Sequence, residues 1–240
     1  MSKRLAACKA LAATVAVTVT AWAAPALAAP VSLTKLSGLT GGSPAATAIY
    51  RADLSAVGLA NILSIAIGDN SSGLGGAAGQ FTGFDLDAIK LSTTLCTDAA
   101  CAAAAPGLSV FDFVNLSFFT PGTQRAPADA KLFGTNATGL AVDNAVATLA
   151  LFDANATTAI PGAFGFLSLG DNGRIEFDLT APVSTAGLYM YIGEVGDNGE
   201  VAASSITVRS TPTNPVPEPL SLALVATGLL GASVARRRRG

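Results

Sequence analysis

The 240-residue sequence predicts an all-β domain, a two-sheet antiparallel β-sandwich of jelly-roll kind, followed by a single C-terminal transmembrane helix. Three observations predict it. Between residues 29 and 211, short apolar stretches are interrupted by Gly, Asn, Asp and Pro, with few amphipathic patterns of helix length. Several stretches alternate, as in Ile175, Phe177 and Leu179 against Arg174, Glu176 and Asp178, which suits a strand packed on one face and wet on the other. Residues 220–235 carry no charge at all and end against four arginines.

The leader comes first. Lys3, Arg4 and Lys9 precede an uncharged apolar run over residues 11–24, and Ala26-Leu27-Ala28 fits a small-x-small cleavage site. Residues 1–28 are therefore expected to be a signal peptide cut after Ala28; the run is shorter than the ~20 residues a spanning helix needs. Leu5-Ala6-Ala7-Cys8 has the letters of a lipoprotein box but precedes the apolar run instead of following it.

In the domain, 29–211, residues 52–67 fit neither period cleanly, and their alanines favour helix slightly over strand. Strands are expected over 81–91, 110–119, 145–152, 164–169, 174–179, 188–192 and 204–209. Gly170-Asp171-Asn172-Gly173 and Gly196-Asp197-Asn198-Gly199 predict hairpin turns, because Asn-Gly supplies the positive φ angles of a type I′ turn. Gly68-Asp69-Asn70-Ser71 begins a looser loop, and the interval between the two Gly-Asp-Asn-Gly motifs occurs once only, too little for a solenoid repeat.

Composition excludes several functions. The chain has no histidine, which removes Ser-His-Asp and Cys-His catalysis and the commonest zinc and iron ligand sets. From residue 30 to 214 there are seven Lys or Arg against fifteen Asp or Glu, an acidic surface without a basic stripe that disfavours nucleic acid. Cys96 and Cys101 form an even pair, expected to close a small-loop disulfide in an oxidising compartment. A redox or metal pair is the alternative, opposed by the spacing and by the lack of further ligands.

Asp85 and Asp87, at i and i+2, share one face of a strand opposite Phe84 and Leu86. The plain reading is a pair of solvated carboxylates; the alternative is the start of a calcium site, for which six to eight oxygens are needed and the others are not identified. Carboxylates could also serve glycoside hydrolysis, but no cross-cleft pair is visible in the sequence. No catalytic residue and no obligate cofactor are expected. Three triplets, Asn115-Leu116-Ser117, Asn136-Ala137-Thr138 and Asn155-Ala156-Thr157, match the glycosylation pattern. The only tryptophan, Trp22, lies in the leader, so a sugar-stacking groove would fall to Tyr50, Tyr189 and Tyr191.

The tail has three parts. Residues 212–219 form a proline-rich stem ending Val216-Pro217-Glu218-Pro219, which holds an extended form without strand donors and can enter a protease cleft. Residues 220–235 span roughly 24 Å as a helix, enough to cross with snorkelling flanks and a thinned bilayer. Arg236, Arg237, Arg238 and Arg239, within 236–240, stay on the cytoplasmic side, so the domain faces outward.

This order of stem, apolar helix and arginine cluster resembles the PEP-CTERM sorting signal of exosortase substrates. The resemblance covers about the last 25 residues. It implies that exosortase, a membrane-embedded protease of Gram-negative bacteria that make extracellular polysaccharide, cuts near Pro217-Glu218-Pro219. The chain is then a substrate, held in the inner membrane facing the periplasm and passed to the cell surface or extracellular matrix. The expected function is a non-catalytic surface or matrix protein associated with extracellular polysaccharide, with the export machinery and the inner membrane as transient partners. The alternatives are a carbohydrate-binding jelly-roll module, calcium-dependent in one form, and a secreted glycan hydrolase.

Overall fold

The computed structural model describes residues 28–70, 76–198, 200 and 205–213. Ala26, the sorting motif Val216, Pro217, Glu218 and Pro219, the predicted helix over 220–235 and Arg236 to Arg239 lie outside the described residues. Among the described residues no helix is long and apolar enough to cross a membrane.

The strands are β1 (Ala28–Pro30), β2 (Thr34–Lys35), β3 (Thr47–Asp53), β4 (Asn61–Gly68), β5 (Asp85–Ser92), β6 (Ser117–Thr120), β7 (Leu167–Ser168), β8 (Arg174–Ser184), β9 (Tyr189–Val195) and β10 (Ser205–Arg209). They form two five-stranded antiparallel sheets, ordered β1-β10-β4-β8-β6 and β2-β3-β9-β5-β7. The inward rows of the two sheets meet in one core, with Ile65, Ile67, Ile175, Phe177 and Val208 from the first and Ala48, Leu86, Ile89, Met190 and Ile192 from the second. The fold is a β-sandwich, as composition and alternation predict.

Register fixes the two ends of the sandwich. Ala28 pairs with Arg209 and Arg209 with Ser64, so the start of β1 and the finish of β10 lie side by side. At the opposite end Ser205 pairs with Gly68 and Gly68 with Arg174, and Val195 lies at the same end, lining a cavity with Asp85.

Three expectations are corrected. Residues 145–152 are not a strand: Asp143 caps a single helical turn, α2 (Asn144–Ala147), by accepting from the Ala145 N–H, and Thr148 at φ 43° ends it. An apolar run this short does not distinguish the two states, and a capping Asp decides for the turn. Residues 81–91 begin as a 3-10 turn (Gly79–Phe81) and become strand only at Asp85, while 110–119 and 164–169 shrink to β6 and β7.

The Gly-Asp-Asn-Gly motifs are turns but not hairpins, since β7 and β8 belong to different sheets, as do β9 and β10. Asn172 takes φ 63° and Asp197 φ 50°, the backbone those residues favour, yet the strands on either side of each motif lie in different sheets; Gly199 lies outside the described residues. Gly173 is required for space: a Cβ there would lie 1.8 Å from the Leu169 carbonyl oxygen. Residues 52–67 resolve into the end of β3, a 3-10 turn (Leu54–Val57) and β4, with Gly58 at φ 74° closing the turn.

The outer face of the second sheet is covered, not solvated. Ile49, Ala88 and Tyr191 pack there beneath Cys96 and the helix α1 (Ala99–Ala104). Asp98 caps the start of α1, and Lys90 donates to the carbonyls of Ala102, Ala103 and Ala105 at its finish.

Candidate functional site

The far end of the sandwich carries the chemistry. Asp85, 7% exposed, opens β5 opposite Ser168, whose hydroxyl donates to its carboxylate. Glu194 continues the inward row of Met190 and Ile192 along β9, and its residue is fully buried. Asp69, following β4, and Glu200 are also buried. Arg125 reaches this group from the loop after β6: its backbone N–H donates to Thr82 Oγ1, its guanidinium to the Gly76 carbonyl, and its Nε lies 3.4 Å from Asp171. Gly76 is the point of convergence, since a Cβ there would stand 2.7 Å from Glu200 Oε1 and 3.0 Å from Arg125 Nη2.

Removal from water disfavours the charged forms of Asp85, Glu194 and Glu200. Burial pushes Asp85 up to about 8, with Asp69 adding to the rise and the Ser168 hydroxyl and Arg125 opposing it. Burial likewise pushes Glu194 to about 8, opposed by backbone N–H groups of the following turn and reinforced by Asp85 and Asp197. Glu200 reaches about 9 through burial and the neighbouring Asp85, Glu194 and Asp69, with Arg125 acting against it. At neutral pH these carboxyls hold protons, and a protonated acid both donates and accepts hydrogen bonds.

Asp85 and Asp87 were expected to be solvated; both are buried, because loops cover the outer face of the second sheet at this end. Their roles also separate. Asp87 accepts from Thr47 Oγ1 at 2.7 Å and from the backbone N–H groups of Asp153 and Ala154 at 3.2 Å, which anchors the chain leading into residues 153–166. Asp85 instead faces Ser168 and the far-end cavity. Among the described residues no group of three or more Asp, Glu, Cys or His is arranged to hold a metal ion.

That cavity, of about 550 Å³, is lined by the polar residues Asp85, Arg125, Thr157, Thr158 and Asn198 and by apolar residues that include Val195. Its apolar wall comes from Phe81 and Phe166, ring centroids 6.0 Å apart, backed by Phe133. The tyrosines expected to build a sugar groove do not: Tyr50 and Tyr191 are buried, and only Tyr189 is partly exposed. Period-2 phase along β9 could have revealed Glu194, whereas nothing local announced Arg125, Phe81 or Phe166, which loops bring together.

Cys96 and Cys101 are joined in a disulfide. The loop is also held by the Arg51 guanidinium, which donates to the Cys96 carbonyl at 2.7 Å, and by the Tyr191 hydroxyl, which accepts from the Cys96 N–H and donates to the Thr94 carbonyl. A bridge closing so few residues stabilises by only about 2 kcal/mol. Reduction is therefore expected to add two hydrogens to the mass and lower the thermal midpoint by a few degrees while leaving the sheets folded; loss of the β circular-dichroism signal on reduction would show that the loop has no other support.

Of the three glycosylation triplets, Asn155 is buried with its amide donated to Gly162, while Asn115 and Asn136 lie in more open turns. The chain matches no protein-family model, no curated protein and no solved structure.

Proposed function

We propose that this chain is a non-catalytic exported protein, sorted through its C-terminal PEP-CTERM-like signal and associated at the cell surface or in the matrix with extracellular polysaccharide. The observation that carries the reading is the order of stem, apolar segment and arginines at the tail, Pro217-Glu218-Pro219 to Arg239. The register adds support. Because Ala28 pairs with Arg209, the leader joins the domain and the tail leaves it at one end of one sheet. A domain so connected can fold while both apolar ends sit in the same membrane, with its other end pointing away. The disulfide fits an oxidising compartment.

In this reading residues 220–235 are a transient transmembrane anchor, exosortase is the processing partner, and the sandwich is a jelly-roll-like binding module instead of an enzyme. Expression in a host with and without the sorting protease, followed by mass spectrometry of both termini, tests the reading. The expected product begins at Ala29 and ends near Pro217-Glu218-Pro219; Glu218→Ala, or deletion of the four arginines, leaves an uncut membrane-retained form. Unchanged processing of both variants would overturn it.

A further inference from the structure

The cavity at the far end has a composition unlike a packing defect. Its lining combines the aromatic Phe81 and Phe166 and the apolar Val195 with the Asp85 carboxyl, the Arg125 guanidinium and the Asn198 amide. Voids left by imperfect packing are apolar and small, whereas ligand sites of roughly 300–1,000 Å³ combine apolar surface with a few converging polar groups. At about 550 Å³ the cavity has room for one or two pyranose rings. A sugar ring has the matching division: an apolar face of C–H groups and an edge of hydroxyls that donate and accept.

We propose that this cavity is a binding subsite for a neutral sugar unit of a polysaccharide, the ring lying against Phe81 and Phe166 and its hydroxyls meeting Asp85, Arg125 and Asn198. The inference rests on the polysaccharide-associated reading above and gives it a location. Two further observations select the ligand. Charge selects neutral over anionic glycans: Arg125 is the one cation among the residues lining the cavity, and its guanidinium is already drawn to Asp171 and the Gly76 carbonyl. Topology selects a polymer outside the membrane, since the cavity opens at the Val195 end of the sandwich, opposite the Ala28–Arg209 end where leader and tail attach. A protonated Asp85 supplies a donor as well as an acceptor, which suits hydroxyl partners.

Isothermal titration of the full-length chain in detergent micelles tests it, using short neutral oligosaccharides of glucose, galactose and mannose, with oligogalacturonates as the anionic comparison. Binding of at least one neutral series is expected, weakened roughly tenfold or more by Ala156→Met, which fills the cavity, and by Asn198→Ala, an exposed position whose side chain gives up one hydrogen bond, from the Glu200 N–H. Thr34→Met, in the smaller cleft of about 270 Å³ beside Pro30 and Arg51 near the other end, is expected to leave binding unchanged. Sugar binding unaltered by both cavity variants would place glycan contact elsewhere on the domain and overturn this site while leaving the surface reading standing. Preference for oligogalacturonates, or no binding by a chain whose tail is correctly processed, would also overturn it. Failure of tail processing with cavity-dependent binding intact would remove the sorting reading and leave the site.

Discussion

Raising the pH from 5 to 9 is expected to lower the thermal unfolding midpoint of the protein by at least roughly 4–8 °C. Four buried carboxyls drive this: Asp87 is pushed up to about 7, Asp85 and Glu194 to about 8 and Glu200 to about 9, in each case chiefly by burial. In the unfolded chain the same groups ionise near pH 4. Between that value and 7 to 9 the native state holds protons that the unfolded state has released, so unfolding releases protons and stability falls as pH rises. The contribution is complete below about pH 4 and is lost by about pH 9.

A pKa displacement is equivalent to ~1.4 kcal/mol per unit, and even half of the Asp87 shift on that one group amounts to about 2 kcal/mol. The opposing carboxylates act outside this window. Asp53 and Asp112 are held below the usual range by hydrogen bonds from Ser55 and Asn115, so what they add to stability is lost only on acidification. Tyr50, pushed up to about 12 by burial, titrates above the window. Circular dichroism melts at pH 5, 7 and 9 and fixed ionic strength measure the effect. A midpoint that is level or rises toward pH 9 would mean that water reaches these acids.

The architecture was legible where one face of a strand is wet. Arg174, Glu176 and Asp178 alternate with Ile175, Phe177 and Leu179 because β8 lies under one core and beside solvent, and the period-2 signal survives there. It failed where both faces are covered. In β3, Thr47–Asp53, the residues Ala48, Ile49, Tyr50 and Ala52 are all buried, so no alternation marked the strand and it is absent from the expected ones. The turn motifs show a different limit: Asn172 and Asp197 supply the left-handed backbone that a tight turn needs, but local chemistry does not say whether the next strand joins the same sheet.

The candidate site divides in the same way. Asp85 was singled out by spacing alone, and its burial came from loops far away in sequence. The cavity needs Phe81, Arg125, Phe166 and Asn198 from four separate segments, which long-range contacts bring together: the register of β5 against β7 and β9, and the bonds that hold Arg125 to Thr82, Gly76 and Asp171.

Asp87→Ala is expected to be the most damaging single substitution in the domain's polar interior, costing on the order of 3–5 kcal/mol. The carboxylate is fully buried and accepts three hydrogen bonds, from Thr47 Oγ1 and from the N–H groups of Asp153 and Ala154. Alanine would leave those donors unpaired where water has no room. Gly193 packs against the same spot, and a Cβ on it would stand 3.0 Å from the Asp87 Cβ. Asp87→Asn distinguishes hydrogen bonding from charge. Its carbonyl can accept from the two backbone N–H groups while its amide donates to Thr47 Oγ1, which reverses roles at little cost.

The asparagine variant should therefore stay within about 1 kcal/mol of the parent at pH 5. At pH 9 it should be the more stable of the two, since it has lost a group that must ionise there. Hydrogen exchange adds a spatial check, because Asp87 secures the entrance to residues 153–166, which carry Thr157 and Thr158 to the cavity. Amides in that stretch should exchange faster in Asp87→Ala than in Asp87→Asn. Equal losses in the two variants would show that the negative charge, and not the three hydrogen bonds, holds the loop to β5.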